Sequence, residues 1–381
     1  MRTLLVVLSS LVVSQFAVAD ISEDKIIAYN AAVESGTDAQ EILKASQDLI
    51  AEVLANPDDT NALLLAYESG VRLCQIGSCK EAQGAAEFVL RADLAEKLDY
   101  PSEAERKLLS ALVGWHVSQT RKTRKELDEA LTTLISVEPS ILTVNAFEAR
   151  YQKDIQGGNT RRASTSAKDA ASHMQPIADI IPQSYVNAAF AAAISAFNDD
   201  QDVDAMRDMT HLRGWLFQYY AAAEGPLKEW SEKLGNHAHA WGLTMGAWYT
   251  STGKRGLSDQ EIDAILASYK TDERAAETDD TDDIDALPFC TGRFNMKPRL
   301  RYKSGQVQRG FFGAIIAKFD IEDGNVVNAV INASVPEERF EAQALETISK
   351  WVWQPDEGQL PNNNCRLSGT NIILPMVFAL D

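Results

Sequence analysis

Gly313-Ala314-Ile315-Ile316-Ala317-Lys318-Phe319-Asp320-Ile321-Glu322-Asp323-Gly324 is the stretch whose reading decides the fold. Ile315, Ala317, Phe319 and Ile321 fall on one side, and Ile316, Lys318 and Asp320 on the other. That period of two marks a β-strand with distinct faces. Asp323-Gly324 predicts a tight hairpin, because both residues adopt positive φ at low cost, and Val326 to Ala333 returns as a second, half-buried strand.

Downstream, Ser334 and Glu337 have capping-box spacing, and Pro336 suits a first turn. Phe340, Ala344, Ile348 and Trp351/Val352 recur at helical spacing, so a helix is predicted up to a stop at Pro355. After a loop rich in Gly, Pro and Asn, a last strand is predicted over Asn371 to Leu380. It places Leu374, Met376, Phe378 and Leu380 on one face and Ile373, Pro375, Val377 and Ala379 on the other. Pro375 cannot donate a ladder hydrogen bond, which puts this strand at a sheet edge.

The residues Pro298, Arg309-Gly310-Phe311-Phe312-Gly313, Phe319-Asp320-Ile321, Asp323-Gly324, Ser334, Phe340, Ala344, Trp351-Val352-Trp353-Gln354-Pro355 and Pro375-Met376-Val377-Phe378 together resemble the C-terminal domain of TonB-family proteins. The resemblance covers roughly the last quarter of the chain, and the residues before Asp285 do not share it. It is a pattern of many small matches rather than one catalytic signature. It implies a small α+β domain at 288–381, with a ββαβ core and an antiparallel sheet, lying in the periplasm. In that family an extended segment of an outer-membrane receptor pairs with an exposed strand edge, a mode in which main-chain hydrogen bonds supply affinity and alternate side chains supply specificity. The corresponding edge here is Asn371, Ile373, Pro375, Val377 and Ala379. For this apolar outward set two readings stand open, contact with a partner or packing on the helical region.

At the other end of the chain, Arg2, an apolar run from Leu4 to Val13 and the small-x-small site Ala17-Val18-Ala19 predict a signal peptide over 1–19, cleaved before Asp20. The run is shorter than the ~20 residues that a bilayer asks for. The expected location is therefore periplasmic, without stable membrane insertion after cleavage; the alternative is an uncleaved inner-membrane anchor facing the periplasm. Energy-transducing members of the family resemble one another in an uncleaved membrane helix with a polar His or Ser, followed by a Pro-rich rod. This chain has no His in its apolar start and a helical region where the rod would be. An adaptor role is expected rather than direct energy transduction.

From Asp24 to about Tyr269 the sequence is rich in Ala, Leu, Glu, Gln and Lys and reads as amphipathic helices. Examples are the faces Ile42/Ala45/Leu49/Val53, Leu127/Leu131/Leu134, Val186/Phe190/Ala193/Phe197 and Met209/Leu212/Leu216/Tyr219. Turn signals at Asn56-Pro57, Gly77-Ser78, Tyr100-Pro101-Ser102, Pro139-Ser140, Gly157-Gly158 and Pro182 separate them. The fold class expected is thus multidomain. An all-α domain over 20–269, repeat-like or a closed bundle, precedes an acidic linker over 270–287 and the small α+β domain. The Leu63 to Leu98 unit, with Tyr67, Gly70, Ala82 and Ala85, resembles a degenerate tetratricopeptide repeat, although no strict period is visible.

The net charge of −19 is carried before Leu287, which makes nucleic acid and anionic lipid poor partners. In an exported chain the four cysteines are expected as disulfides, Cys74 with Cys79 and Cys290 with Cys365. The acid-rich 270–287 and the group Asp200, Asp202 and Asp204 lack the Gly and terminal Glu of a calcium loop and read as solvated acids. His237 and His239 stand two apart, which diverges on a helix, and belong to the aromatic-rich surface of Trp230, Trp241, Trp248 and Tyr249. With no nucleophile elbow and no phosphate-cradling loop, neither catalytic residues nor a cofactor are expected.

The partners expected are envelope proteins, foremost TonB-dependent outer-membrane receptors. The second reading is an envelope scaffold whose helical domain holds the main groove, with the TonB-like unit as a docking or structural module. The third, an enzyme in the helical domain, has only the His237 region behind it.

Overall fold

The computed structural model describes residues 21–36, 38–91, 100–135, 138–251, 258, 260–261, 264, 287–296, 298, 313–359, 361 and 365–378. The expected signal peptide, the linker apart from Leu287, and the strand residues Ala379 and Leu380 lie outside them. The chain falls into two compact units, Met1–Ala192 and Ala193–Asp381. The division lies well before the expected linker.

The first unit consists of α1 (Glu23–Ser35), α2 (Ala39–Ala55), α3 (Ala62–Gln75), α4 (Gln83–Phe88), α5 (Glu103–Val117), α6 (Arg121–Leu134), α7 (Ile141–Gln156) and α8 (Thr160–Met174); α9 (Pro182–Asn198) runs across the division. The boundaries follow the turn signals because side chains satisfy the amides that a helix start leaves bare. Capping boxes pair Ser102 with Glu105, Thr120 with Thr123 and Ser140 with Thr143, and Asp38 and Asn159 cap α2 and α8. Helices adjacent in sequence pack as hairpins, α1 on α2, α2 on α3, α5 on α6 and α7 on α8. Leu49, Val53, Leu73, Leu108, Leu112, Leu127 and Phe147 are buried between them. The Cys74–Cys79 disulfide closes the turn after α3, its Cα atoms 3.8 Å apart.

A partly buried ionic network joins the last three hairpin helices of this unit. Arg124 on α6 holds both oxygens of Asp154 on α7, at 3.1 and 2.9 Å, and also reaches Asp128 at 3.0 Å. Arg150 links Asp128 to Asp169 on α8, and the Ser166 hydroxyl donates to Asp154 at 2.8 Å.

In the second unit α10 (Asp202–Ala222) and α11 (Pro226–Ser251) pack on each other. The sheet comprises β1 (Gly292–Asn295), β2 (Gly313–Glu322), β3 (Asn325–Val335), β4 (Val352–Pro355) and β5 (Gly369–Phe378), with α12 (Glu341–Ile348) between β3 and β4. Its order is β1-β4-β3-β2-β5, antiparallel throughout. Asp323 and Gly324 have φ of 47° and 83°, the paired positive values of the predicted hairpin.

One face of the sheet buries Ile315, Ala317, Phe319, Ile321, Val326 and Phe378 against Phe340, Ala344, Ile348 and Trp351 from α12 and its flanks. Gly313 permits this packing, because a Cβ there would collide with the Phe340 ring and the Val335 carbonyl. The opposite face buries Ala314, Ile316, Ala333, Val335 and Ile373 against Ala240 and Leu243 of α11. The helical and sheet regions therefore share a core.

The helix predicted from Ser334 to Val352 is corrected at both ends. Ser334 stands opposite Ile315 in the β2–β3 ladder, so it is strand and not a cap, and its hydroxyl bonds the Pro336 carbonyl instead. At the other end Trp351 and Val352 leave the helix. The Trp353 amide donates to Gly324 at 2.7 Å, and Val352 to Pro355 pairs with β1. Pro355 thus ends a strand, not a helix, and the expected ββαβ core gains two short strands.

Candidate binding edge

The final strand is placed by its only strand neighbour among the described residues, β2. Phe378 stands opposite Gly313, Pro375 opposite Ile316, and Ile372 opposite Phe319. Pro375 is tolerated because the far side of β5 carries no further strand. Ile372, Leu374, Met376 and Phe378 face the α12 side, where Phe378 stacks on Phe340 with ring centroids 4.1 Å apart.

The residues expected to face outward are not equivalent. Ile373 is 8% exposed and packs against Ala240 and Leu243 of α11, so its side chain serves the core of this unit. Val377, two residues on, is 44% exposed. Pro375 is half-buried, Asn371 is exposed, and Ala379 lies outside the described residues. Of the outward set, Val377 and Asn371 thus present side chains to solvent at this edge.

A feature that sequence reasoning missed sits where β5 begins. Between Phe319 and Ile321 the β2–β5 register shifts by one extra residue on β5, and between Lys318 and Asp320 the β2–β3 register shifts by one extra residue on β3. Each extra stretch holds an Asn in the left-handed region, Asn371 at φ 57° and Asn328 at φ 52°. Asn tolerates that region better than most residues. The two are joined by one carboxylate. Asp320 Oδ1 accepts the Asn371 backbone N–H at 2.9 Å, and Asp320 Oδ2 accepts from the Asn328 side-chain amide at 2.9 Å.

The hairpin end of the sheet is fastened by the Cys290–Cys365 disulfide, with Cα atoms 4.8 Å apart and both residues buried. Cys290 leads into β1 and Cys365 into β5, so the bridge joins the starts of the two edge strands. Around it the Cys290 amide donates to Arg366 at 2.9 Å, the Arg366 amide to Pro288 at 2.8 Å, and Trp353 Nε1 to the Cys290 carbonyl at 3.1 Å.

Five antiparallel strands, a helix between the third and fourth in space-filling contact with one face, and a Pro-bearing edge strand last in sequence form the architecture expected of one family. Residues 298–370 match the Gram-negative bacterial TonB protein C-terminal family. No curated protein and no solved structure is a significant match to the chain. The TonB-type match takes in β2, β3, α12 and β4 and ends at Thr370, the second residue of β5, so Asn371 to Phe378 lie beyond it. TonB C-terminal domains are periplasmic, transport-associated and non-enzymatic, and the match supports an envelope role for this chain.

The remaining residues singled out by sequence are dispersed. His239 is fully buried in α11, while His237 is half-buried with Nε2 3.9 Å from Glu337, and its burial pushes the imidazole below its usual range despite that carboxylate. Phe197 sits between Trp241 and Trp248 at 6.4 Å from each, and Trp215 stacks on Tyr219 at 5.0 Å. Asp202 is buried at the start of α10. Among the described residues no group of His, Cys, Asp and Glu is arranged to hold a metal ion, and no helix is long and apolar enough to cross a membrane.

Proposed function

We propose that this is an envelope protein-binding adaptor of the TonB family, working in connection with TonB-dependent transport. The edge of β5 accepts an extended segment of an envelope protein, with the periplasmic segment of a TonB-dependent outer-membrane receptor as the partner. The observation that carries the reading is the position of β5 at the end of the strand order, in a domain whose preceding residues match the TonB family. An added strand would bond the outward main-chain groups of β5 and set alternate side chains beside Val377 and Asn371. The reading includes cleavage after Ala19 and release into the periplasm, with mature protein starting at Asp20.

A photo-crosslinking residue at Val377 tests it in cells. Cross-links that map to the periplasmic segment of an outer-membrane receptor support the proposal. Cross-links confined to this chain, with outer-membrane receptors present, refute it and move attention to the helical unit. Mass spectrometry of the mature terminus tests the location, since an intact Met1 or Arg2 in the membrane fraction would restore the anchored alternative.

A further inference from the structure

The structure assigns Asp320 a positioning role at the binding edge, an inference that rests on the reading of β5 as the docking strand. We infer that its carboxylate is a two-armed latch that fixes the register of β5 and so determines which face each side chain of the edge presents. A strand shifted by one residue exchanges its two faces. Both neighbours of β2 carry an extra residue at the same level, Asn328 on β3 and Asn371 on β5, and a slip of β5 by one residue against β2 would carry Leu374, Met376 and Phe378 out of the α12 core.

The latch is specific in its chemistry. Asp320 is acceptor-only when ionised, and it faces two donors, the Asn371 main-chain N–H and the Asn328 side-chain amide, each at 2.9 Å. Asn371 is the left-handed residue of the β5 bulge, and the arm that holds its amide fixes where the regular ladder from Ile372 to Phe378 begins. The second arm passes across β2 to β3, which couples the edge to the next strand of the sheet. Beyond Asn371 the described strand runs to Phe378, which offers a partner about seven residues of edge, roughly 23 Å of extended chain.

Substitution separates the arms. Asp320→Ala removes both. Asn328→Gly, which suits the left-handed φ at that position, removes the β3 arm and leaves the Asn371 arm in place. The measurement is amide hydrogen exchange on the full chain without any partner, with cross-link capture from Val377 in parallel.

For Asp320→Ala the expected result is a rise of at least about tenfold in the exchange of Ile372 to Phe378 with β1 and β4 unchanged, and loss of receptor capture. Asn328→Gly should keep β5 near wild-type protection, leave Ala329 to Ile331 fast, and retain capture. Unchanged β5 exchange in Asp320→Ala, or an equal rise over all five strands, overturns the latch. Should Asp320→Ala fail to fold, Asn328→Gly carries the test through the difference between β3 and β5. Capture by Asp320→Ala equal to wild type while β5 is loosened overturns the positioning role. Failure of wild type to capture any receptor segment refutes the docking reading instead, and the exchange data tell the two failures apart.

Discussion

Ile373 and Val377 lie on the same face of β5, and alanine should separate them cleanly. Ile373→Ala deletes three carbons from a side chain 8% exposed, packed among Ala240, Leu243, Ala314, Ile316, Ala333 and Val335. At about 0.8 kcal/mol per buried carbon this is about 2.4 kcal/mol of lost transfer energy. The cavity left against α11 adds to it, for an expected loss of about 3 kcal/mol. Val377→Ala deletes two carbons from a side chain 44% exposed, and roughly half of the same allowance is below about 1 kcal/mol.

The assay is urea unfolding of the full chain followed by tryptophan fluorescence, with hydrogen exchange of β5 to assign the loss to this unit. The capture experiment should run the other way. Val377→Lys is expected to abolish receptor capture while stability stays within about 1 kcal/mol of wild type. Ile373→Lys is expected to destabilise the unit outright, because it buries an ammonium without a partner. If Ile373→Ala costs under about 1 kcal/mol, or if Val377→Ala costs more than Ile373→Ala, the packing of α11 on the sheet is not as described and the argument fails.

In the first unit, Asp154→Ala leaves the mostly buried Arg124 with Asp128 and the Arg150 carbonyl and should cost about 3 kcal/mol, read as a fall in the denaturation midpoint. Removing Cys290–Cys365, which spans 75 residues, is expected to cost about 4 kcal/mol, twice the about 2 kcal/mol for Cys74–Cys79, which spans 5; paired Cys→Ala variants measured under the same conditions check the ratio. Burial holds the Glu148 carboxyl above the usual carboxylate range, against a hydrogen bond from Ser184. Its folded form therefore keeps the proton to higher pH than the unfolded chain, and its contribution is full below the unfolded pKa and is lost as pH rises through the raised folded value. Glu148→Gln should flatten that part of the stability–pH profile, and an unaltered profile would discount the burial. A fragment of 288–381 should expose the face made by Ala314, Ile316, Ala333, Val335 and Ile373 and aggregate or bind a hydrophobic dye, whereas a fragment of 193–381 should remain monomeric by sedimentation.

Much of this was legible in the sequence because it is local. The Asp323-Gly324 turn needs only two residues that accept positive φ, Pro375 marks an edge by lacking a donor, and the turn signals at Ser102 and Ser140 each fall on a residue that caps the next helix within three residues of itself. What escaped is non-local. Trp351-Val352 continued a helical spacing from Phe340, and only the Gly324 carbonyl and β1 draw it into a strand. α11 presents Gly235, Gly242, Gly246 and Ala240 as buried residues, and small side chains that permit close approach score weakly in any apolar pattern. Asp320 read as a polar outward position, while its two partners lie 8 and 51 residues away.

The covering of both sheet faces bears directly on how such a domain can bind. α12 and its flanks fill one face and α11 the other, so the broad apolar surfaces of the sheet are spent on the unit's own core. At β5 that leaves the edge, where the main-chain donors and acceptors that point away from β2 have no strand beside them among the described residues. Such groups bond water in the free protein and are not a liability until another extended chain arrives. The edge is also held in place before binding, by α11 through Ile373, by the α12 core through Phe378 and by the disulfide through Cys365. A rigid edge loses little conformational freedom on pairing, so most of the ordering cost falls on the incoming segment. On the proposed reading, selectivity then rests on the few side chains that reach past the main chain, and Thr370, Asn371 and Val377 are those of β5 that the fold leaves exposed.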